Sequence, residues 1–166
     1  RPYHISTANT TSPLTASYLA LGMNTTSTVI PTIYQEIQPG YTASVTYSLD
    51  NASDQFGLIA YDVDEQDSVS LQAYDANGTL ITDFTDWEFV GQGDVTVKNP
   101  SGGVDPAVPP AWVASYGTLT TAINSNMNRS YTVIRPPVTI ASVTVMLSSP
   151  KSGSHIYSSL YAYPNN

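Results

Sequence analysis

The chain has no cysteine and little charge of either sign, and both shortages exclude whole classes of protein. Without cysteine there is no disulfide scaffold, thiolate zinc site, iron–sulfur cluster or cysteine nucleophile. Charged residues make up 11% of the 166 residues, with 5 Lys and Arg against 13 Asp and Glu, for a net charge of −8. A protein that grips phosphates or anionic lipid needs a basic stripe, and this balance argues against nucleic-acid and membrane partners. No apolar run approaches the ~20 residues of a membrane span. Glutamate is scarce as well: Glu36, Glu65 and Glu88 are the only three. A glycosidase sets two carboxylates across one bond, and nothing in the sequence singles out such a pair. Phosphate-binding glycine loops and a Gly-x-Ser-x-Gly elbow are missing too, so catalysis is not expected. The two histidines, His4 and His155, lie near opposite ends of the chain.

What remains is 41% hydrophobic residues, 12 tyrosines and about a quarter serine and threonine. That mass is enough for one domain with its own core, and the mixture is common in extracellular β proteins. The first residue is Arg1 rather than Met, as expected of a processed or excised piece. Asn-x-Ser/Thr sequons at Asn9, Asn24, Asn51, Asn77 and Asn128 are potential glycan acceptors in a secretory setting.

Residues 1–28 are Ser/Thr/Asn-rich and weakly patterned, and are read as an N-terminal arm or first strand. From Val29 onward the pattern has a period of two. In Thr42–Leu49, Ala43, Val45, Tyr47 and Leu49 share one face. Phe56–Val63 is apolar on both faces, as suits a central strand. Ser68–Asp75 alternates again and runs into Asp75-Ala-Asn-Gly78, a tight-turn signal, with a further strand expected over Thr79–Phe84. Later strands are expected over Asp94–Lys98, Ala111–Tyr116, Tyr131–Arg135, Val138–Leu147 and His155–Tyr163. Two Pro-Pro pairs and many single prolines stop any long helix. Roughly nine short strands predict an all-β, antiparallel two-sheet sandwich over 29–166, with a jelly roll the best match to this length.

Four features carry the functional expectations. In the last strand, alternation puts His155, Tyr157, Ser159, Tyr161 and Tyr163 on one face, a platform for sugar rings or else cross-strand packing. The stretch Asn99–Pro110 is the longest connection without a strand pattern. Asp105 within it, Trp112 after it and Trp87 before it wall a pocket if they meet, or the tryptophans plug the core. The acidic run Asp62-x-Asp64-x-x-Asp67 offers oxygen ligands for calcium, or is a solvated turn. Asp75-x-Asn77-Gly78 is explained by the turn alone.

The segment from Ser68 to Ile81, the order Asp86-Trp87 then Trp112, and the strands at Val133-Ile134-Arg135-Pro136 and Val143-Thr144-Val145 resemble jelly-roll domains of bacterial exported and cell-surface proteins. The resemblance covers residues 55–148 and rests on generic hairpins, so no family binding motif is carried over. It implies a carbohydrate-binding module or adhesin-like domain, some of which hold calcium. The expectation is therefore a non-catalytic, extracellular or cell-surface module that binds a glycan or another surface ligand, with calcium as a candidate cofactor. A structural subunit of a filament, matrix or capsid, assembled through residues 1–28, is the alternative. A polysaccharide-degrading jelly roll is the weaker one.

Overall fold

The computed structural model describes residues 3–10, 30–64, 66–92, 97–98, 104–105, 111–113, 116–120 and 131–162, at some strand ends by the backbone alone. Among them there is no helix, hence none long and apolar enough to cross a membrane. The strands are β1 (Tyr3–Thr10), β2 (Ile30–Ile37), β3 (Thr42–Ser53), β4 (Phe56–Tyr61), β5 (Ser68–Asp75), β6 (Glu88–Gln92), β7 (Val97–Lys98), β8 (Val104–Asp105), β9 (Ala111–Val113), β10 (Thr118–Thr120), β11 (Tyr131–Arg135), β12 (Ile140–Ser148) and β13 (Ser154–Ala162).

They form two main antiparallel sheets. One has the order β1-β2-β13-β4-β11-β6 and the other β3-β12-β5-β10-β9, while β7 and β8 pair apart. The protein is an all-β, antiparallel sandwich. Four of its strand pairs are nested: β2 with β13, β3 with β12, β4 with β11, and β5 with β10. Successive pairs alternate between the sheets, so the chain is wound as one long folded-over hairpin.

The core follows from the period of two. The five-stranded sheet turns Ala43, Val69, Leu71, Val143, Val145, Leu147 and Leu119 inward, and the six-stranded sheet meets them with Ile37, Phe56, Leu58, Ala60, Ile134 and Ile156. Burying one such large aliphatic side chain contributes about 1.5–3 kcal/mol. Three hydrogen bonds also cross this interior. Gln35 Nε2 donates to the carbonyls of Ala43 (2.9 Å) and Val145 (3.1 Å). The hydroxyls of Tyr47 and Ser158 share a 2.7 Å hydrogen bond. Outward, β3 presents Thr42, Ser44, Thr46 and Ser48, and β12 presents Ser142, Thr144, Met146 and Ser148 beside them in register.

Three expectations gain detail, and one of them changes. The start of the arm takes the strand form: β1 pairs with β2 over its whole length. An edge partner needs backbone groups rather than apolar side chains, so a Ser/Thr/Asn-rich segment can fill the position. The strand expected over Thr79–Phe84 is reduced to a bridge between Leu80 and Tyr74. This segment leaves the five-stranded sheet for β6 in the other one, tucking Phe84 and Trp87 into the core as it crosses. Of the strands expected over Asp94–Lys98 and Ala111–Tyr116, Val97–Lys98 and Ala111–Val113 are present, while residues 94–96 and 114–115 lie outside the described residues. The Asp75–Gly78 turn is as expected: Asp75 Oδ1 accepts from the amides of Asn77 and Thr79, and Gly78 has φ of 78°.

Candidate functional site

The turns β2–β3, β4–β5 and β12–β13 gather at one end of the sandwich, where the Ser152 hydroxyl donates to Gln38 Oε1 at 2.7 Å. The β4–β5 turn carries the acidic run and is tightly bent. Asp62 and Gln66 have φ of 65° and 70°, a left-handed conformation uncommon for residues other than glycine. Asp67 is 2% exposed. Its Oδ1 accepts the Ser154 hydroxyl and lies 3.4 Å from Lys151 Nζ, and its Oδ2 accepts the Asp64 amide at 3.2 Å. A buried carboxylate has to be paired in this way, and the pairing fastens the turn to the start of β13.

The Asp62 carboxylate faces the outer side of the six-stranded sheet, 2.9 Å from His155 Nε2. His155 Nδ1 lies 3.2 Å from the Gly153 carbonyl. With both ring nitrogens on oxygen acceptors, the imidazole holds two protons. The hydrogen bond to Asp62 raises its pKa from 6.5 to about 9, against an opposing effect of burial and with help from the Gly153 carbonyl and nearby carboxylates.

Tyr34 and Tyr157 are opposite one another in the β2–β13 register, and Glu36 is opposite His155. The tyrosine ring centres are 5.2 Å apart at 57°. His155 is 5.5 Å from Tyr34, and His4 of β1 closes the patch 6.1 Å from Tyr34 on its other side. The Tyr34 hydroxyl donates to Glu36 Oε2. Burial, followed by that bond and the Glu36 charge, pushes the Tyr34 phenol well above its ordinary range. Burial and the Asp62 charge push Tyr157 up as well. The result is a half-buried aromatic surface, edged by oriented carboxylates and a fixed cation.

The ion pair makes stability depend on pH. The folded-state pKa of His155 lies above the unfolded one, so its stabilisation is complete below 6.5 and is lost as pH climbs through about 9. Taken at face value the difference is worth about 3 kcal/mol. The side chain is 37% exposed, and solvent screening reduces the expected loss to about 1 kcal/mol. Urea denaturation from about pH 6 to about pH 9.5 should show this decline, and His155→Gln should flatten it. A wild-type profile as flat as that of the variant would contradict the ion pair.

Tyr157 is therefore at the centre of the site. Tyr161 continues β13, its backbone opposite Gly57, and Tyr163 lies outside the described residues. Asp62, Asp64 and Asp67 share one turn, but Asp62 is turned to His155 and Asp67 to Ser154 and Lys151. Among the described residues no three His, Asp or Glu side chains are arranged to hold a metal ion. Trp87 is 5% exposed, its ring 4.9 Å from that of Phe84 within the core. Asp105 and Trp112 are described by backbone alone, in β8 and β9, with Trp112 opposite Leu119. The rest of Asn99–Pro110 lies outside the described residues.

The sequence did not single out Tyr34, Glu36 or the partnership of Asp62 with His155. The alternation Thr32, Tyr34, Glu36 was a signal for a common face on β2. That this face lies beside His155 and Tyr157 depends on a pairing between distant strands.

Fold and patch together define an antiparallel β-sandwich protein with an aromatic and acidic surface on one sheet. Comparison with known proteins adds no relative: no family model, no curated protein and no solved structure matches the chain.

Proposed function

We propose that this protein is a non-catalytic, extracellular module that binds a glycan on the outer face of its six-stranded sheet, around Tyr34 and Tyr157. The observation that carries this reading is the pair of tilted tyrosine rings with the Glu36 and Asp62 carboxylates held beside them. Aromatic faces pack against the C–H side of a sugar ring, and oriented acceptors take its hydroxyl protons. The exposed positions of the sequon residues Asn51 and Asn77 are in keeping with a secretory route. The nested strand pairing supports reading the sandwich as a jelly roll, the fold of many such modules. Calcium is the part of the proposal that the geometry supports least, because an ion at the acidic turn competes with His155 and Lys151 for the same carboxylates.

A glycan array, run with calcium and with a chelator, tests the reading. Binding of at least one glycan is expected, and chelation separates a calcium-dependent site from a purely aromatic one. Tyr157→Ala should weaken that binding about tenfold or more, since one ring contact is worth about 1 kcal/mol beyond its buried area. Its unfolding should remain cooperative, with a loss of stability of about 1 kcal/mol from the missing contact with Tyr34. An array without binders under both conditions would overturn the proposal.

One observation favours a second reading, a structural subunit. β1 is an edge strand joined to β2 through residues 11–29, far more chain than an antiparallel hairpin requires. The same pairing can therefore form between two copies. Gel filtration of the full chain and of a chain lacking residues 1–28 separates the readings, because only a subunit loses assembly on truncation.

A further inference from the structure

On the opposite side of the molecule, the five-stranded sheet has an outer face without a charge where β3, β12 and β5 run in register, over Thr42–Ser48, Ser142–Ser148 and Ser68–Tyr74. Three neighbouring hydroxyls, Thr42, Ser148 and Ser68, cross the three strands in one row. Two residues further along, β3 and β12 carry Ser44 and Met146, and then Thr46 and Thr144, whose hydroxyls share a 2.7 Å hydrogen bond. The outward positions of all three strands are part or fully exposed. Charged residues make up 11% of the chain, and none stands at these outward positions. The face is a grid of hydroxyls, spaced about 4.8 Å across the strands and about 6.7 Å along them, over a length of about 20 Å.

Each end of the grid has an aromatic ring. Tyr41 is 52% exposed beside the first row, and Tyr74 is 37% exposed in the last. At the Tyr41 end the face deepens into an open cleft of about 400 Å³. Thr42, Ser148 and Ser68 are among its lining residues, together with Tyr41, Gln66 and Pro150. Gln66, one of its lining residues, has a left-handed backbone with φ of 70°. The volume is within the roughly 300–1,000 Å³ of small-ligand sites.

We infer that this face and its cleft form a second binding surface, for an extended neutral polysaccharide lying along the strands with one sugar ring against Tyr41. A hydroxyl both donates and accepts, so a grid of hydroxyls matches a polyol in either orientation. A face without charge has nothing to offer an ionic polymer, and the net charge of −8 repels an anionic one. The surface shares no residue with the Tyr34–Tyr157 patch, so either site can fail without the other.

The test is an amide NMR titration of the full-length protein with cellohexaose, chitohexaose and maltohexaose, with polygalacturonate as the charged comparator. At least one neutral oligosaccharide should shift the amides of Tyr41, Thr42, Thr144 and Ser148. Thr144→Glu, at the middle of the grid, and Tyr41→Ala, at its end, should each weaken that response about tenfold. Tyr157→Ala should leave it unchanged. The inference is overturned if no neutral oligosaccharide moves these amides, or if polygalacturonate moves them equally. It is also overturned if light scattering shows a dimer that Thr144→Glu dissociates, since a second copy then covers the face.

Discussion

Replacing Gly117 with alanine is expected to destabilise the protein by about 3 kcal/mol, a large fraction of the roughly 5–15 kcal/mol that holds a domain folded. Gly117 has φ of 57°, which glycine adopts freely and alanine does not, and its carbonyl accepts the Leu71 amide at 2.9 Å, which holds the backbone in that conformation. A Cβ there would lie 2.7 Å from Cδ1 and 2.9 Å from Cε1 and Cγ of Phe84. That ring is 3% exposed and packed on Trp87, so it has no room to retreat. Left-handed strain costs of order 1–3 kcal/mol and overpacking typically another 1–3. Urea denaturation measures the sum, and a loss below about 1 kcal/mol would mean that Phe84 does not lie against this glycine.

Asp67→Ala is the second substitution with a large expected effect, also about 3 kcal/mol. It leaves the Asp64 amide and the Ser154 hydroxyl without their acceptor and takes the carboxylate away from Lys151. The damage spreads, because the same turn presents Asp62 to His155. The variant should therefore also lose much of the pH dependence ascribed to His155, measured by the same denaturation series. A variant as stable as the wild type would show that the turn is not fastened through this carboxylate.

The strands of the two inner faces were legible because burial imposes a period of two. Ala43, Val45 and Tyr47, like Val69, Leu71 and Ala73, declare their face without any knowledge of partners. Long-range pairing was not legible. His155 and Asp62 belong to distant segments, and only the nesting of β13 between β2 and β4 brings the imidazole to the carboxylate. Thr79–Phe84 misled for a related reason: its apolar residues serve a crossing between sheets, where Ile81 donates to Ala73 at 2.8 Å and the ladder ends. The acidic run shows the same limit. Its spacing suggests a cation, but the folded chain supplies His155 and Lys151 as protein cations against two of the three carboxylates. The hydroxyl face of the five-stranded sheet was present in the alternation of Thr42, Ser44, Thr46 and Ser48. Its extent emerged once β12 and β5 were seen beside β3 in matching register.

The claim that tyrosine rings on the six-stranded sheet hold a sugar is tested most directly by following ring signals of ¹³C-labelled tyrosine during titration with the glycan panel. The Tyr34 and Tyr157 signals should move together and saturate with the same ligand, and the Tyr34 response should vanish in Tyr157→Ala. If every glycan leaves both rings unmoved, or moves Tyr41 alone, the patch around Tyr157 is not a glycan site.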